Sequence, residues 1–343
     1  MRPSKVADTL QLFLKENYPI LLTGAPGVGK TDLVNQACKS LGFDMLISHP
    51  VVSDSVDYKG LPAVITNRGK GRKEADFLPY NDLRIMIDAD SPLIVFLDDL
   101  GQAPMAVQAA CMQLLLARRI GQHKISEYVR FVAATNRRQD KAGVQGMLEP
   151  VKSRFFTIIN VDPNVPDWVR WAFKNKMPGE LVAYIRYKPN MLLEEEALSL
   201  REMTNTSSPR TLAHVGSLIN AGLPKNVEKE VFGGTAGKVF ADDFTQFLRV
   251  YRELPDIDTI IKNPEKAEIP TEPSILWATI GALVNRASKK TANSLITYAG
   301  RMETKFKDFS VMFMKDCAAK DDSFVQNDRF IEWISSNADV LIE

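Results

Sequence analysis

Hydrophobic residues along the first half of the chain follow two alternating kinds of spacing. Short continuous apolar runs, such as residues 18–22 and 93–97, have the length of buried strands. Between such runs, segments such as residues 31–41 carry their apolar residues at helical intervals. Strand and helix patterns alternate in this way from residue 18 to residue 161, which predicts an α/β fold with a parallel sheet covered by helices on both faces.

The remaining elements of this half are predicted from the same patterns and from turn residues. Further strands are expected at 44–48, 128–134 and 155–161, and further helices in the first residues, at 81–88 and at 104–119. Residues 53–80 are rich in turn formers, and 63–77 is interpreted as a hairpin-like excursion with a basic tip at 68–73. The tip is either a solvated turn or a loop that presents charge to a partner or substrate.

After Pro163 the strand patterns stop and only helical ones follow. Ser208-Pro209-Arg210 has the signature of a helix start, with Ser as N-cap and Pro as the first helical residue. Other helices are predicted at 166–176, 179–187, 194–203, 238–254, 272–286, 290–302 and 324–340. The proline-containing stretch 254–273 is expected to be an ordered connector. Boundaries are therefore expected near residues 163 and 224.

Composition narrows the class of protein. The chain has 343 residues, of which 45% are hydrophobic and 25% charged, as in ordinary soluble globular proteins. A formal net charge of +1 gives no global electrostatic attraction to nucleic acid or to an anionic membrane. The three cysteines and three histidines are widely spaced, so neither a disulfide framework nor a zinc site is expected. No membrane-spanning run or signal peptide is recognised, and we expect a cytoplasmic protein.

A glycine-rich stretch between a predicted strand and a predicted helix carries the first chemical signal. It has the G-x-x-x-x-G-K-T pattern of the phosphate-binding loop and consists of Gly24, Ala25, Pro26, Gly27, Val28, Gly29, Lys30 and Thr31. Its glycines allow backbone N–H groups to close around phosphate oxygens, and the helix N-terminus adds a positive dipole. Lys30 supplies a mobile positive charge, and Thr31 offers a hydroxyl to Mg²⁺. The stretch therefore predicts binding of ATP or a related nucleoside triphosphate with Mg²⁺.

Polar residues at the ends of two later strands complete the predicted chemistry. Asp98 follows a buried strand and is expected to hold the Mg²⁺ shell, while Asp99 would polarise the attacking water. Asp99 stands where Glu is commoner, and its shorter side chain leads us to expect slow hydrolysis. Asn136 closes the next strand and can position the same water, because an amide both donates and accepts hydrogen bonds.

Arginines form the last part of the candidate site. Arg154, at the predicted start of the fifth strand, suits an arginine finger that stabilises phosphate charge across a subunit boundary. Arg137 and Arg138 are rival candidates for that role. Arg210 lies in the first turn of a helix, where a cation is poorly placed for the helix dipole, and contact with nucleotide from a lid would explain it.

This ordered set resembles the AAA+ ATPases, and more narrowly their MoxR-like branch. The likeness rests on Walker A (residues 24–31), Walker B (95–99), sensor 1 (Asn136), the arginine finger (Arg154) and sensor 2 (Arg210), and it covers about residues 1–222. It implies a P-loop αβα sandwich over residues 1–163, with a hairpin-like insertion at about 53–80. An α-helical lid over 164–224 and a further helical C-terminal region over 225–343 would follow.

The resemblance also implies a function. Such a protein binds and hydrolyses ATP–Mg²⁺ at the subunit interfaces of a homo-oligomeric, hexameric ring, with Arg154 acting on the neighbour's ATP. Turnover remodels or activates a protein partner, which in this branch is often a protein with a von Willebrand factor A domain. The insertion would face the ring pore.

Two other functions stay open. The chain would act as a nucleotide-gated assembly module if it binds ATP and oligomerises but hydrolyses little, and the shortened acid Asp99 favours that alternative. A nucleic-acid-dependent motor is disfavoured by the near-neutral net charge.

Overall fold

A computed structural model of the chain describes residues 1–67, 72–137, 146–194, 205–303 and 306–337. The chain divides into two units, Met1–Asp162 and Pro163–Glu343. The division coincides with the point at which the strand patterns stop in the sequence. No helix in the described ranges has both the length and the apolar character needed to cross a membrane.

Helices and strands alternate along the first unit. They are α1 (Pro3–Lys15), β1 (Ile20–Thr23), α2 (Lys30–Leu41), β2 (Asp44–Ser48), α3 (Val56–Lys59), β3 (Leu61–Asn67), β4 (Arg72–Leu78), α4 (Asp82–Asp88), β5 (Leu93–Leu97), α5 (Met105–Ala117), β6 (Arg119–Ile120), β7 (His123–Lys124), β8 (Val129–Thr135), α6 (Glu149–Lys152) and β9 (Thr157–Asn160).

Five of these strands form the parallel sheet that the hydrophobic pattern predicted. Their order is β2-β5-β8-β1-β9, and every neighbouring pair is parallel. All residues of β5 are buried, as expected for a strand covered on both faces. Because the strands are parallel, β1, β5 and β8 all end at one edge, and the residues that follow them meet there. This edge positions the candidate site.

Two antiparallel hairpins stand apart from the central sheet. In the first hairpin, β3 pairs with β4 from Leu61 opposite Leu78 to Asn67 opposite Arg72, which confirms the predicted hairpin. Residues 68–71 of its tip lie outside the described residues. The sequence did not predict the second hairpin, β6 with β7. The helix predicted over 104–119 therefore ends earlier, at Ala117, where Arg118 takes a left-handed conformation and turns the chain.

Tyr58 in α3 anchors the base of the first hairpin to the central sheet. Its ring is buried in the core of the first unit, and its hydroxyl lies 2.8 Å from Ser48 Oγ at the end of β2. Burial, partly offset by this hydrogen bond, raises the pKa of Tyr58 to about 12, so the phenol stays neutral at physiological pH. The backbone carbonyl of Ser48 in turn accepts a hydrogen bond from Asp98 N. The hairpin base is thus joined to the edge of the sheet.

Helices alone make up the described part of the second unit. They are α7 (Val165–Lys174), α8 (Gly179–Tyr187), α9 (Pro209–Asn220), α10 (Glu228–Ala236), α11 (Lys238–Arg252), α12 (Ile257–Lys262), α13 (Pro273–Val284), α14 (Ala292–Glu303), α15 (Lys307–Lys320) and α16 (Asp328–Ser336). Buried residues from 168 to 333 belong to one hydrophobic core. The proposed division of this unit at residue 224 stays a prediction.

Three of these helices were missed by the sequence patterns. The connector predicted over 254–273 contains α12, and neither α10 nor α15 was expected. α15 buries Ser310, Val311, Phe313, Met314, Asp316 and Cys317, which point in several directions around the helix. A helix that is buried on several faces and carries a buried charge has no single apolar stripe, so its periodicity is hidden. Most of the helix predicted over 194–203 lies outside the described residues.

An ion pair explains how α15 tolerates its buried carboxylate. Arg186 of α8 holds Asp316 through both carboxylate oxygens, and the two side chains are only 12% and 7% exposed. Desolvation raises the pKa of Asp316, and the neighbouring guanidinium opposes that rise. The pair joins two helices in the core of the second unit.

Removing one partner should show how strongly the other depends on it. We predict that Arg186→Met lowers the free energy of unfolding at neutral pH by about 3–5 kcal/mol, because a buried carboxylate loses its counter-charge. Without Arg186 the folded-state pKa of Asp316 rises further above its unfolded value, so the loss should shrink as the pH falls and the carboxyl becomes protonated. Urea unfolding at neutral and mildly acidic pH measures both effects.

The matched control removes a cation from an exposed pair. Lys229 and Asp242 are 71% and 58% exposed, so Lys229→Met should cost at most about 1 kcal/mol. Equal losses in the two variants would contradict the assignment of Arg186–Asp316 as the stabilising pair.

Candidate functional site

The glycine-rich loop joins β1 to the N-terminus of α2. Gly29 caps that helix with φ 95° and ψ 23°, a left-handed conformation that side chains with a Cβ atom rarely adopt. Its carbonyl accepts the first helical hydrogen bond, from Leu33 N. The conformation at Gly29 allows the chain to turn sharply from the loop into the helix. Lys30 and Thr31 are therefore the first two residues after the cap.

Lys30 folds back over the loop, and its side chain is buried. Its ammonium group donates to Gly24 O at 2.9 Å, to Ala25 O at 3.2 Å and to Asn136 Oδ1 at 2.8 Å. An ammonium has three N–H donors, so it can serve several acceptors at once. Lys30 thus links the phosphate loop to the end of β8.

Thr31 and Asp98 meet at the same edge of the sheet. Thr31 Oγ1 donates to Asp98 Oδ2 at 2.9 Å, and Asp98 directly follows the last residue of β5. Asp98 is positioned from both sides, because its backbone N–H donates to Ser48 O at 2.9 Å. A hydroxyl and a carboxylate oxygen side by side are oxygen ligands of the kind that Mg²⁺ accepts together with water and phosphate.

Asp99 begins a short turn after β5. Its backbone lies in the left-handed region, with φ 57° and ψ 33°, and caps the 3₁₀ turn Leu100–Gln102. A non-glycine residue in that region is uncommon and stores strain. The Asp99 N–H donates to Asp98 Oδ1 at 3.1 Å, which holds the strained backbone in place. The carboxylate of Asp99 is partly exposed at the edge of the sheet.

Asn136 joins the two halves of the site. Its Oδ1 accepts from Lys30, and its Nδ2 donates to Asp99 Oδ1 at 3.3 Å. This orientation of the amide is fixed, because an ammonium only donates and a carboxylate only accepts. The structure therefore brings the sequence-predicted residues Lys30, Asp99 and Asn136 into one hydrogen-bonded chain.

Gln102 belongs to the same network and was missed by the sequence patterns. Its Nε2 donates to Asp99 Oδ1 at 2.9 Å, and its Oε1 accepts from Thr135 Oγ1 at 3.3 Å. Residues three apart lie over one another in a 3₁₀ turn, which brings Gln102 back to Asp99. The spacing alone would have suggested the contact only if the turn type had been known.

A family model matches this part of the chain. Residues 19–155 match the model described as "AAA domain (dynein-related subfamily)". The match spans β1 to the residues before β9 and contains Lys30, Thr31, Asp98, Asp99 and Asn136. Residues 19–155 are an AAA domain. The first unit accordingly has the AAA+ P-loop fold, as the sequence predicted.

Other comparisons are more distant. No curated protein matches the chain in sequence. One solved structure with a similar fold is the Holliday junction branch migration motor RuvB of Thermotoga maritima, at 16% identity and TM-score 0.40, over 82% of this chain and 80% of that one. Another is NtrX of Brucella abortus in complex with ADP, at 12% identity and TM-score 0.42, over 89% and 67% of the two chains. At these values the similarity says nothing about the activity of this chain.

The four candidate arginines occupy different places. Arg154 of the AAA domain lies three residues before β9, so it is not the strand residue that was predicted. Its buried Nε has no hydrogen-bond partner in the described part of the chain. Arg137 follows Asn136, and Arg138 lies outside the described residues. Arg210 is an exposed residue in the first turn of α9, whose cap, Ser208, forms a capping box with Thr211.

Gly101 allows the turn of Asp99 to lie close to the end of β8. A Cβ atom at this position would stand 2.2 Å from Thr135 Oγ1 and 3.1 Å from Thr135 Cβ. We predict that Gly101→Ala lowers the free energy of unfolding by about 1–3 kcal/mol, the usual cost of overpacking. Adding Thr135→Ala should restore part of the loss, because it removes the closer of the two atoms. Urea unfolding of the single and double variants measures this.

Gly300 provides the control. It lies in α14, where an added Cβ atom would meet nothing within 4 Å. Gly300→Ala should raise stability by about 0.5–1 kcal/mol through helix propensity. A Gly101→Ala variant as stable as Gly300→Ala would contradict the close approach at Thr135.

Proposed function

We propose that the chain is a MoxR-like AAA+ ATPase that binds and hydrolyses ATP–Mg²⁺ between the subunits of a ring and thereby remodels or activates a protein partner. The observation that carries this proposal is the hydrogen-bonded chain at one edge of the sheet. It connects the phosphate loop (Lys30) through Asn136 to the acid Asp99, next to the Thr31–Asp98 pair. In the proposed mechanism these groups surround the terminal phosphate of a nucleotide bound to this loop.

Lys30 binds the phosphates in the proposed mechanism. Gly24 O, Ala25 O and Asn136 Oδ1 all accept from its ammonium group, so contact with a phosphate oxygen requires that at least one of these hydrogen bonds is exchanged. The bond to Asn136 Oδ1 is the one directed out of the loop. Its exchange would free the amide of Asn136 to orient a water molecule. Nucleotide binding and the arrangement of the catalytic groups would then be coupled.

Thr31 and Asp98 are the residues that would hold the metal ion. Their oxygens lie 2.9 Å apart, and a hydroxyl beside a carboxylate suits an ion that binds few protein ligands and keeps several waters. Mg²⁺ bound with ATP neutralises charge that develops on the phosphate oxygens. Asp98 is held by Ser48 O and by the adjacent N–H of Asp99, so its carboxylate is positioned before the ion binds.

Asp99 is the proposed general base. Its carboxylate would accept a hydrogen bond from the attacking water, and Asn136 would help to hold that water toward the terminal phosphate. Arg154 of a neighbouring subunit would stabilise charge on the transferred phosphate, and Arg210 would contact the nucleotide of its own subunit. In support of the role of Arg154, its buried Nε has no hydrogen-bond partner in the described part of the chain.

The hairpin formed by β3 and β4 is the proposed contact with the partner. Four of its apolar residues are exposed to solvent, namely Leu61, Val64, Phe77 and Leu78. Exposed apolar side chains on a two-stranded hairpin are candidates for protein contact. The MoxR-like branch carries an insertion at this place that faces the pore of a hexameric ring, and its partners often contain a von Willebrand factor A domain.

A nucleotide-gated assembly module is the second candidate function. The observation in its favour is Asp99, which is one methylene shorter than glutamate and whose Oδ1 already accepts from Gln102 and Asn136. A carboxylate held back in this way would activate water poorly, and ATP would then mainly drive assembly. Turnover by the assembled protein distinguishes the two functions.

Substitution of Asp99 tests the hydrolytic function. We predict that Asp99→Asn keeps ATP binding and lowers kcat by about a hundredfold or more, because the amide cannot accept the proton. Phosphate release measures turnover, and fluorescent ATP binding measures affinity. The exposed Asp90→Asn is the matched control and should leave both unchanged, whereas Lys30→Ala should lose binding. Unchanged turnover in Asp99→Asn would show that another residue is the general base. A wild-type protein that assembles on ATP without hydrolysing it would favour the second function.

Mixed assemblies test the shared site. We predict that Arg154→Ala alone and Lys30→Ala alone are both inactive, and that mixing them restores part of the turnover. In a mixed ring, intact Arg154 from one subunit can act on ATP bound by a neighbour with intact Lys30. Arg84→Ala, at an exposed arginine of the same unit, is the control. If mixing fails to restore turnover while Arg137→Ala mixed with Lys30→Ala succeeds, Arg137 is the finger instead.

A further inference from the structure

Gln102 lies next to the proposed base and is not among the site residues predicted from the sequence. It is the last residue of the turn that Asp99 caps, and its N–H donates to Asp99 O at 3.0 Å. The same residue thus contacts Asp99 twice, once through the backbone and once through the side chain. Closing a short turn does not require the second contact.

The side chain of Gln102 is oriented by groups of opposite character. The carboxylate of Asp99 can only accept, so the amide must turn its NH₂ group toward Asp99 Oδ1. Its Oε1 then accepts from Thr135 Oγ1 at 3.3 Å, and the same hydroxyl proton is shared with Asn136 O at 3.2 Å. Thr135 is buried and belongs to β8, a central strand of the sheet. Gln102 therefore fixes the carboxylate of a strained turn to a rigid strand.

Both amides of the network donate to the same oxygen of Asp99. Gln102 Nε2 lies 2.9 Å and Asn136 Nδ2 lies 3.3 Å from Oδ1, whereas no hydrogen bond from the described residues of this unit reaches Oδ2. A carboxylate held at one oxygen by donors from two directions cannot rotate freely. Its second oxygen is left to accept a proton from water.

We propose that Gln102 is a positioning residue for the ATPase reaction, which orients the shortened acid Asp99 so that Oδ2 meets the attacking water. The inference rests on the proposed function and goes beyond it, because it says how an aspartate does the work of the longer glutamate. When Asn136 exchanges its bond to Lys30, Gln102 keeps Asp99 attached to β8. The two amides are thus not equivalent: Gln102 holds the base throughout, and Asn136 responds to nucleotide.

The test separates orientation of Asp99 from a general structural role. We predict that Gln102→Met, which keeps the length but removes the donor, leaves ATP affinity and KM unchanged and lowers kcat by about tenfold to a hundredfold. Gln102→Glu keeps the shape of the side chain but places an acceptor against the carboxylate of Asp99, so it should lower kcat at least as much. Gln113→Met, at an exposed glutamine of α5, is the matched control and should behave as wild type.

A double-mutant cycle distinguishes an effect of Gln102 through Asp99 from a general effect on the structure. If Gln102 acts through Asp99, Gln102→Met should cause no further loss of single-turnover rate in an Asp99→Asn background. The same fractional loss in both backgrounds would overturn the inference. Thr135→Val releases Gln102 from the other side and should lower kcat in the same direction, which keeps the test available if Gln102→Met is poorly folded.

The remaining outcomes distinguish the inference from the function on which it rests. If Gln102→Met and Gln102→Glu hydrolyse ATP as fast as the wild type, the positioning role is overturned and the proposed ATPase function stands. A wild-type protein that binds ATP and never releases phosphate overturns the proposed hydrolysis and the inference together.

Discussion

One amide, Asn136, makes a single site out of residues from three separate parts of the chain. Its oxygen accepts from Lys30 of the phosphate loop, and its nitrogen donates to Asp99 after β5. Neither group can exchange roles, since an ammonium only donates and a carboxylate only accepts. The orientation of the amide is therefore dictated by its partners, and it links the phosphate loop to Asp99.

The parallel sheet is what makes that arrangement possible. In a parallel sheet all strands end on the same side, so short polar segments that follow β1, β5 and β8 come together without long loops. The buried strands are rigid because they are packed on both faces, and they hold the polar groups within hydrogen-bond distance. Tyr58 extends the arrangement to the hairpin through Ser48, whose carbonyl accepts from Asp98 N.

Asp99 is the residue on which the proposed chemistry depends. The shorter side chain stands on a left-handed backbone and is held by Gln102 and Asn136 at one oxygen. The same contacts support two opposite functions: they hold the base back in an assembly module, and they aim it in an ATPase. Turnover decides between these, and the contribution of each amide is open to measurement.

The sequence by itself determined the class of fold, because a phosphate loop that joins a strand pattern to a helix pattern is compatible with few other folds. It also predicted Lys30, Thr31, Asp98, Asp99 and Asn136 as site residues, because their motifs have fixed spacing relative to strands. Only the tertiary structure decided their partners. Gln102 has an ordinary spacing and acquires its contact from the 3₁₀ turn. α15 was hidden because its polar Asp316 is buried and paired with Arg186 of another helix, a compensation between distant residues that no local pattern contains.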